Sequence, residues 1–128
     1  MVDNIVSIIG TYGELAPLAE AVQERKLLQT IKPLTDTAAK AAKANWGTSW
    51  DVIDKHPDFH DTDGYAGEGM WFLGMQFESP WAPPIGAYQV LHERGIYIHA
   101  FYLSTGGLEF GGQFEDGENQ SYELDKLP

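Results

Sequence analysis

Apolar positions along this chain change period several times, from two to between three and four and back, and each change marks an element. Residues 4–10 are rich in isoleucine and valine and read as a buried strand, broken by Gly10-Thr11-Tyr12-Gly13. From Glu14 to Arg25 the apolar Leu15, Leu18, Ala19 and Val22 recur at helical spacing, with Pro17 in a first turn where its missing N–H costs nothing. Leu27 to Pro33 reads as a short strand or an extended connector. Thr35 or Asp36 is then the N-cap of a helix over 37–44, ended by Asn45 or Gly47 in the left-handed region. Trp50 to Asp54 predicts a strand.

Downstream, His56 to Gly64 is turn-rich and acidic and reads as a loop joining two strands. Residues 70–78 alternate cleanly: Trp71, Leu73, Met75 and Phe77 fall on one face, which predicts a central strand. Pro83-Pro84 ends it and starts a helix carrying Ile85, Tyr88 and Leu91, with Gly95 as its stop. Ile96 to Leu103 is a strand apolar on both faces apart from His99. Gly106-Gly107 turns the chain into an alternating hairpin partner over 108–115, and a last short strand over 121–124 follows the acidic loop Glu115 to Asn119. Strand, helices, two strands, helix, strand, with antiparallel strands appended, is the split β-α-β order of an α+β ferredoxin-like sandwich. It has a mainly antiparallel sheet with helices on one face.

Composition fits one domain of 128 residues with a packed core, since 43% of residues are hydrophobic. The absence of cysteine excludes disulfides and thiolate metal sites. Met1 to Ile9 has an acid where a secretory signal carries positive charge, and no apolar run approaches the roughly 20 residues of a membrane span. A soluble, cytoplasmic chain is expected.

Charge changes the picture most. The net value is -11, and residues 1–44 hold five acids and five bases, whereas residues 45–128 hold fourteen acids against Lys55, Arg94 and Lys126. Such a field repels nucleic acid and anionic membranes and draws basic partners, although surplus carboxylates also serve solubility.

Two motifs stand out, Asn45-Trp46-Gly47-Thr48-Ser49-Trp50-Asp51 and Trp81-Ala82-Pro83-Pro84. In that order, followed by a strand pair containing Gly111-Gly112, they resemble the ferredoxin-like domain family of uncharacterised phage and plasmid proteins, over roughly residues 36–114. Ser49 stands where that family usually has a lysine, and the loop from His56 to Glu68 is longer than the family's. The resemblance implies a fold and a setting on mobile genetic elements, and no reaction.

Candidate chemistry is sparse. Trp46, Trp50, Trp71 and Trp81 read as core and corner anchors, with a stacking platform for a base or sugar as the alternative. His56, Asp58, His60, Asp61 and Asp63 are the residue types that bind zinc or manganese, in loop spacing and with only a fragment of a calcium motif. Ser79 or Ser104 with His92 or His99 lies in no nucleophile elbow, and Gly64, Gly67 and Gly69 form no phosphate loop. The remaining candidates are the carboxylates Asp51, Asp54, Asp58, Asp61, Asp63 and Glu68 of one region and Glu115, Asp116 and Glu118 of another. Carboxylates two apart on an extended chain lie about 6.6 Å apart, comparable to charge spacings along a nucleic-acid backbone.

The expectation is a non-catalytic acidic interaction protein of a phage or mobile element, without a cofactor or metal. It would bind and inhibit a basic, nucleic-acid-binding host defence complex of the CRISPR or restriction kind, with possible nucleic-acid mimicry. Neither nucleic acid nor membrane is a direct partner. The alternative is a metal-binding protein or metal-dependent enzyme centred on His56 to Asp63, and a third is self-assembly through an edge strand near Leu108 to Phe114.

Overall fold

The computed structural model describes residues 2–35, 39–48, 51, 57–80, 82–104 and 110–123. In chain order these form β1 (Val2–Thr11), α1 (Tyr12–Gln23), α2 (Leu27–Ile31), α3 (Ala39–Trp46), β2 (Asp58–Asp61), β3 (Met70–Ser79), α4 (Ile85–Glu93), β4 (Tyr97–Ser104), β5 (Phe110–Glu115) and β6 (Glu118–Glu123). The strands make one antiparallel sheet in the order β2-β3-β1-β4-β5-β6. The architecture is α+β.

Alternation along the strands sets the two faces. Val6 and Ile8 of β1 share a face with Leu73, Met75 and Phe77 of β3, Ile98 and Ala100 of β4, and Phe114 of β5. That face is buried in a single core with Leu15, Leu18 and Val22 of α1, Leu27, Leu28 and Ile31 of α2, Ala42 and Trp46 of α3, and Ala87, Tyr88 and Leu91 of α4. All the described helices therefore cover one side of the sheet, and none of them is long and apolar enough to cross a membrane.

Several elements differ from the sequence reading. The chain over 27–33 is not a strand or connector, because Leu27–Ile31 is a helix. Lys26 gives its N-terminus no side-chain bond; instead the Asp51 carboxylate accepts the N–H groups of Leu28 at 2.9 Å and Gln29 at 3.0 Å. The first long helix starts two residues early, because Thr11 and Glu14 form a reciprocal capping box. Pro17 consequently stands inside the helix, and the N–H it lacks leaves the carbonyl of exposed Gly13 to water.

Within the sheet β3 is interior as expected, paired with β1 on one side and with the edge strand β2 on the other, and β1 and β4 are the innermost pair. Part of the expected loop after His56 is the edge strand Asp58–Asp61. The expected acidic loop at 115–119 is a two-residue turn. Asp116 and Gly117 have φ of +53° and +79°, the conformation that an Asp-Gly hairpin favours, and β6 begins at once. Because β6 pairs with β5 over Phe110–Glu115, the described part of the strand expected near Leu108 to Phe114 is no edge, and Leu108 and Glu109 lie outside the described residues. The expected Trp50 to Asp54 strand lies outside the described residues except Asp51.

The two sequence motifs meet at one corner. Trp46 is buried and its indole N–H donates to the Lys32 carbonyl at 2.8 Å. Gly47, at φ +95°, ends α3; Thr48, also buried, donates its hydroxyl to the Pro80 carbonyl at 2.9 Å. On the facing side Gly86 of α4 lies against the Asn45 carbonyl so closely that a Cβ would collide with backbone. Beneath the corner a buried polar set joins β1, β3 and α4. Asn4 donates to the Ser79 hydroxyl at 2.9 Å and accepts from the Tyr88 hydroxyl at 2.8 Å, while Ser79 donates to the Ala82 carbonyl at 2.7 Å. Among the described residues every buried side-chain polar atom has a partner.

Two predictions follow from this packing. Gly86→Ala, which forces two backbones apart, is expected to lower stability by about 2–3 kcal/mol in urea unfolding. Burial, and secondarily Tyr102, holds the Tyr88 phenol well above its ordinary range. The folded state therefore keeps a proton that the unfolded state releases above about pH 10. Stability from this group is present below that pH and lost above it. A phenolate absorbance titration of the native chain should fall short of all six tyrosines until unfolding, and Tyr88→Phe should lessen the alkaline loss.

Candidate functional site

The helix-free side of the sheet is composed of the residues that alternate with the core. Cross-strand pairing arranges them in rows. One row runs Asp58, Gly74, Ser7, His99, Glu115, Glu118 from β2 to β6. The next runs Gln76, Ile5, Phe101, Gln113, Gln120, and a third runs Glu78, Asp3, Leu103, Gly111, Tyr122. On the other side of the first row lie His60, Phe72, Ile9 and Tyr97.

Two properties distinguish this open face. Its middle strands expose apolar side chains, Ile5 at 55%, Phe101 at 49% and Leu103 at 43%, and Tyr122 at 47% extends the patch to the edge strand β6. Its charge has one sign. Asp3, Asp58, Glu78, Glu115 and Glu118 all point this way, and among the described residues no strand carries a lysine or arginine. The described cations Arg25, Lys26, Lys32, Lys40, Lys43 and Arg94 belong to the helices or to the turns that bound them. Glu115 and Glu118 face each other across β5 and β6, an arrangement that is mutually repulsive. His99 offsets part of this, with Nδ1 3.2 Å from the Glu115 carboxylate and Nε2 3.2 Å from the Gln113 amide oxygen.

The carboxylates expected as a binding set divide among different places. Asp58, Glu115 and Glu118 are on the open face and exposed, with Asp58 and Glu118 about 24 Å apart at about 4.8 Å per strand. Asp116 is exposed in the hairpin turn. Asp61 ends β2 on the helix side opposite Trp71, and Asp63 and Glu68 are exposed in the loop to β3. Asp51 is half-buried and spent on the α2 cap, so it is not a free surface charge. Asp54 lies outside the described residues. Nor do the expected two-apart pairs form extended ladders: Asp63 has φ +52° and donates its N–H to Asp61 at 2.8 Å in a turn, and Asp116 opens another. Asp3 and Glu78 were missing from the sequence set; their signal was alternation, each standing next to a buried residue on its strand.

The other candidates take structural or separate positions. Ser79 and Ser104 point to the core face and His99 to the open face, so strand parity keeps them apart. His92 packs instead against the Asp116-Gly117 turn. His60 stacks on Phe72 with ring centroids 5.0 Å apart, and its Nε2 is 3.8 Å from Asp58. Among the described residues no three His, Asp or Glu side chains converge as a metal site, and His56 is outside them. Trp46 is the corner anchor described above, and Trp71 packs edge-on to Tyr12 and beside Phe59, each at 4.9 Å. Trp50 and Trp81 lie outside the described residues.

Comparison with family models, with curated proteins and with solved structures finds no match to this chain. The two fates of the carboxylates separate by stability. Asp51→Ala, which strips an acceptor from two backbone N–H groups, is expected to cost about 1–2 kcal/mol in urea unfolding. Glu118→Ala should leave the midpoint nearly unchanged or raise it, because it removes a like-charge pair.

Proposed function

We propose that the protein is a non-catalytic binding module whose open sheet face engages a basic partner protein. The observation carrying this reading is the segregation of charge between layers: the described strands have no cation, and five carboxylates point from their uncovered side. A face of this kind repels phosphate backbones and anionic membranes and steers lysine- and arginine-rich surfaces toward it. It needs no cofactor.

The fold reading is a ferredoxin-like sandwich. Strands β2-β3-β1-β4, with α1 to α3 between β1 and β2 and α4 between β3 and β4, follow its split β-α-β order, and β5 and β6 extend the sheet. The phage or mobile-element setting comes from the motif resemblance. In it, the partner is a nucleic-acid-binding defence complex in the bacterial cytoplasm, such as a CRISPR effector or restriction enzyme, and binding blocks its basic groove. The open-face carboxylates are unevenly spread over the sheet, Asp58 on β2, Glu78 and Asp3 on β3 and β1, and Glu115 and Glu118 on β5 and β6, which favours several separate contacts over an even imitation of phosphate spacing.

Capture from host lysate at low and high salt identifies the partner, and titration then measures it. Affinity should fall at least about tenfold between about 50 and 200 mM salt. Joint reversal of the open-face carboxylates Asp3, Asp58, Glu78, Glu115 and Glu118 to lysine should abolish binding. Binding indifferent to that reversal overturns the proposal.

A further inference from the structure

Charge alone leaves the centre of the open face unexplained. Ile5 on β1, Phe101 and Leu103 on β4, and Tyr122 on β6 each expose between 43% and 55% of their surface. Phe101 and Leu103 form a ridge with a depression on either side. One, of about 240 Å³, is bounded by Asp3, Ile5 and Gln76; the other, of about 400 Å³, lies over Gly111, between the ridge, Gln113 and Tyr122. Gly111 stands opposite Leu103 in the register, and its missing side chain opens the second depression. The two lie over β1 and β5, two strands and therefore about 10 Å apart.

We propose that these depressions receive apolar side chains from a basic, amphipathic segment of the partner, an inference that rests on the reading of the acidic face given above. Charge complementarity selects this occupant. Asp3 borders the first depression, with Glu78 paired to it on β3, Glu115 and Glu118 lie in a row next to the second, and no described strand offers a cation to an acidic ligand. A second copy stacked face to face would set carboxylates on carboxylates. A purely polar cation would leave Phe101 and Leu103 in water, whereas contiguous exposed apolar groups rimmed by polar ones mark protein-binding surfaces. The separation of about 10 Å equals seven residues of helix rise, so a helix placing leucines one heptad apart fills both depressions while its lysines reach the rim.

The test uses two fluorescent peptides of equal charge, an oligolysine and a leucine-lysine peptide with leucines at helical spacing. The full chain should bind the leucine-lysine peptide about tenfold more tightly or better. Phe101→Gln with Leu103→Gln should bring the two affinities within about twofold while oligolysine binding stays unchanged, and Ile5→Gln should remove part of the preference. These side chains are exposed, so thermal unfolding should confirm that each variant folds; should the double variant not fold, Ile5→Gln alone decides. No preference in the natural chain, or a preference that survives the substitutions, overturns the inference. So does a dimer seen by light scattering at the assay concentration and abolished by the same changes, which would assign the face to a second copy. Loss of both peptides on lysine reversal of Asp58, Glu115 and Glu118, alongside no leucine preference, leaves the acidic-face reading standing and this inference failed. Oligolysine binding unaffected by that reversal defeats the acidic-face reading itself.

Discussion

A sheet whose described helices all cover one side is the constraint from which the rest of this molecule follows. Strand side chains alternate, so covering one face with α1 to α4 assigns every second residue of β1, β3 and β4 to the core and its neighbours to water. The covered side must then be packed tightly and fully satisfied. Gly86 allows α4 to meet the end of α3, and the Asn4, Ser79 and Tyr88 set uses its buried polar atoms on one another. The uncovered side retains apolar groups in the middle and carboxylates around them.

That constraint also explains which features could be read from sequence. Residues 70–78 announce their faces through period-two patterning, residues 96–103 announce a strand but, apolar on both sides, not its faces, and Pro84 with Gly95 brackets α4 as expected. Trp46 serves as the corner anchor that its turn context implied. The failures share a cause, which is partners remote in sequence. No local residue caps α2, and its cap comes from Asp51, 22 to 23 positions away, so Leu27–Ile31 looked extended. The four residues of β2 are too few to display a period and become a strand only by pairing with β3.

The candidate site was legible in composition and not in position. Charge along the chain divides near Asn45, but in space the described cations all belong to the helices and their turns while the described strands carry none, and only this second division distinguishes a surface. Glu115 and Glu118 were found as acids, Asp3 and Glu78 were overlooked, and Asp51 turned out to be an internal cap. The motifs on which the resemblance rests are one physical unit, because Thr48 bonds to the Pro80 carbonyl and Gly47 lies against that of Pro83. A change in either motif is felt by the other, which ties them to the fold rather than to the open face.

The central claim is that binding takes place on the uncovered face. With methyl-labelled protein and a soluble paramagnetic agent, the exposed methyl groups of Ile5 and Leu103 relax rapidly in the free chain. Adding the basic partner should shield both, leaving the part-buried helix residues Ala19 and Val90 as they were. Shielding of Ala19 and Val90, with Ile5 and Leu103 still open to the agent, would contradict the account.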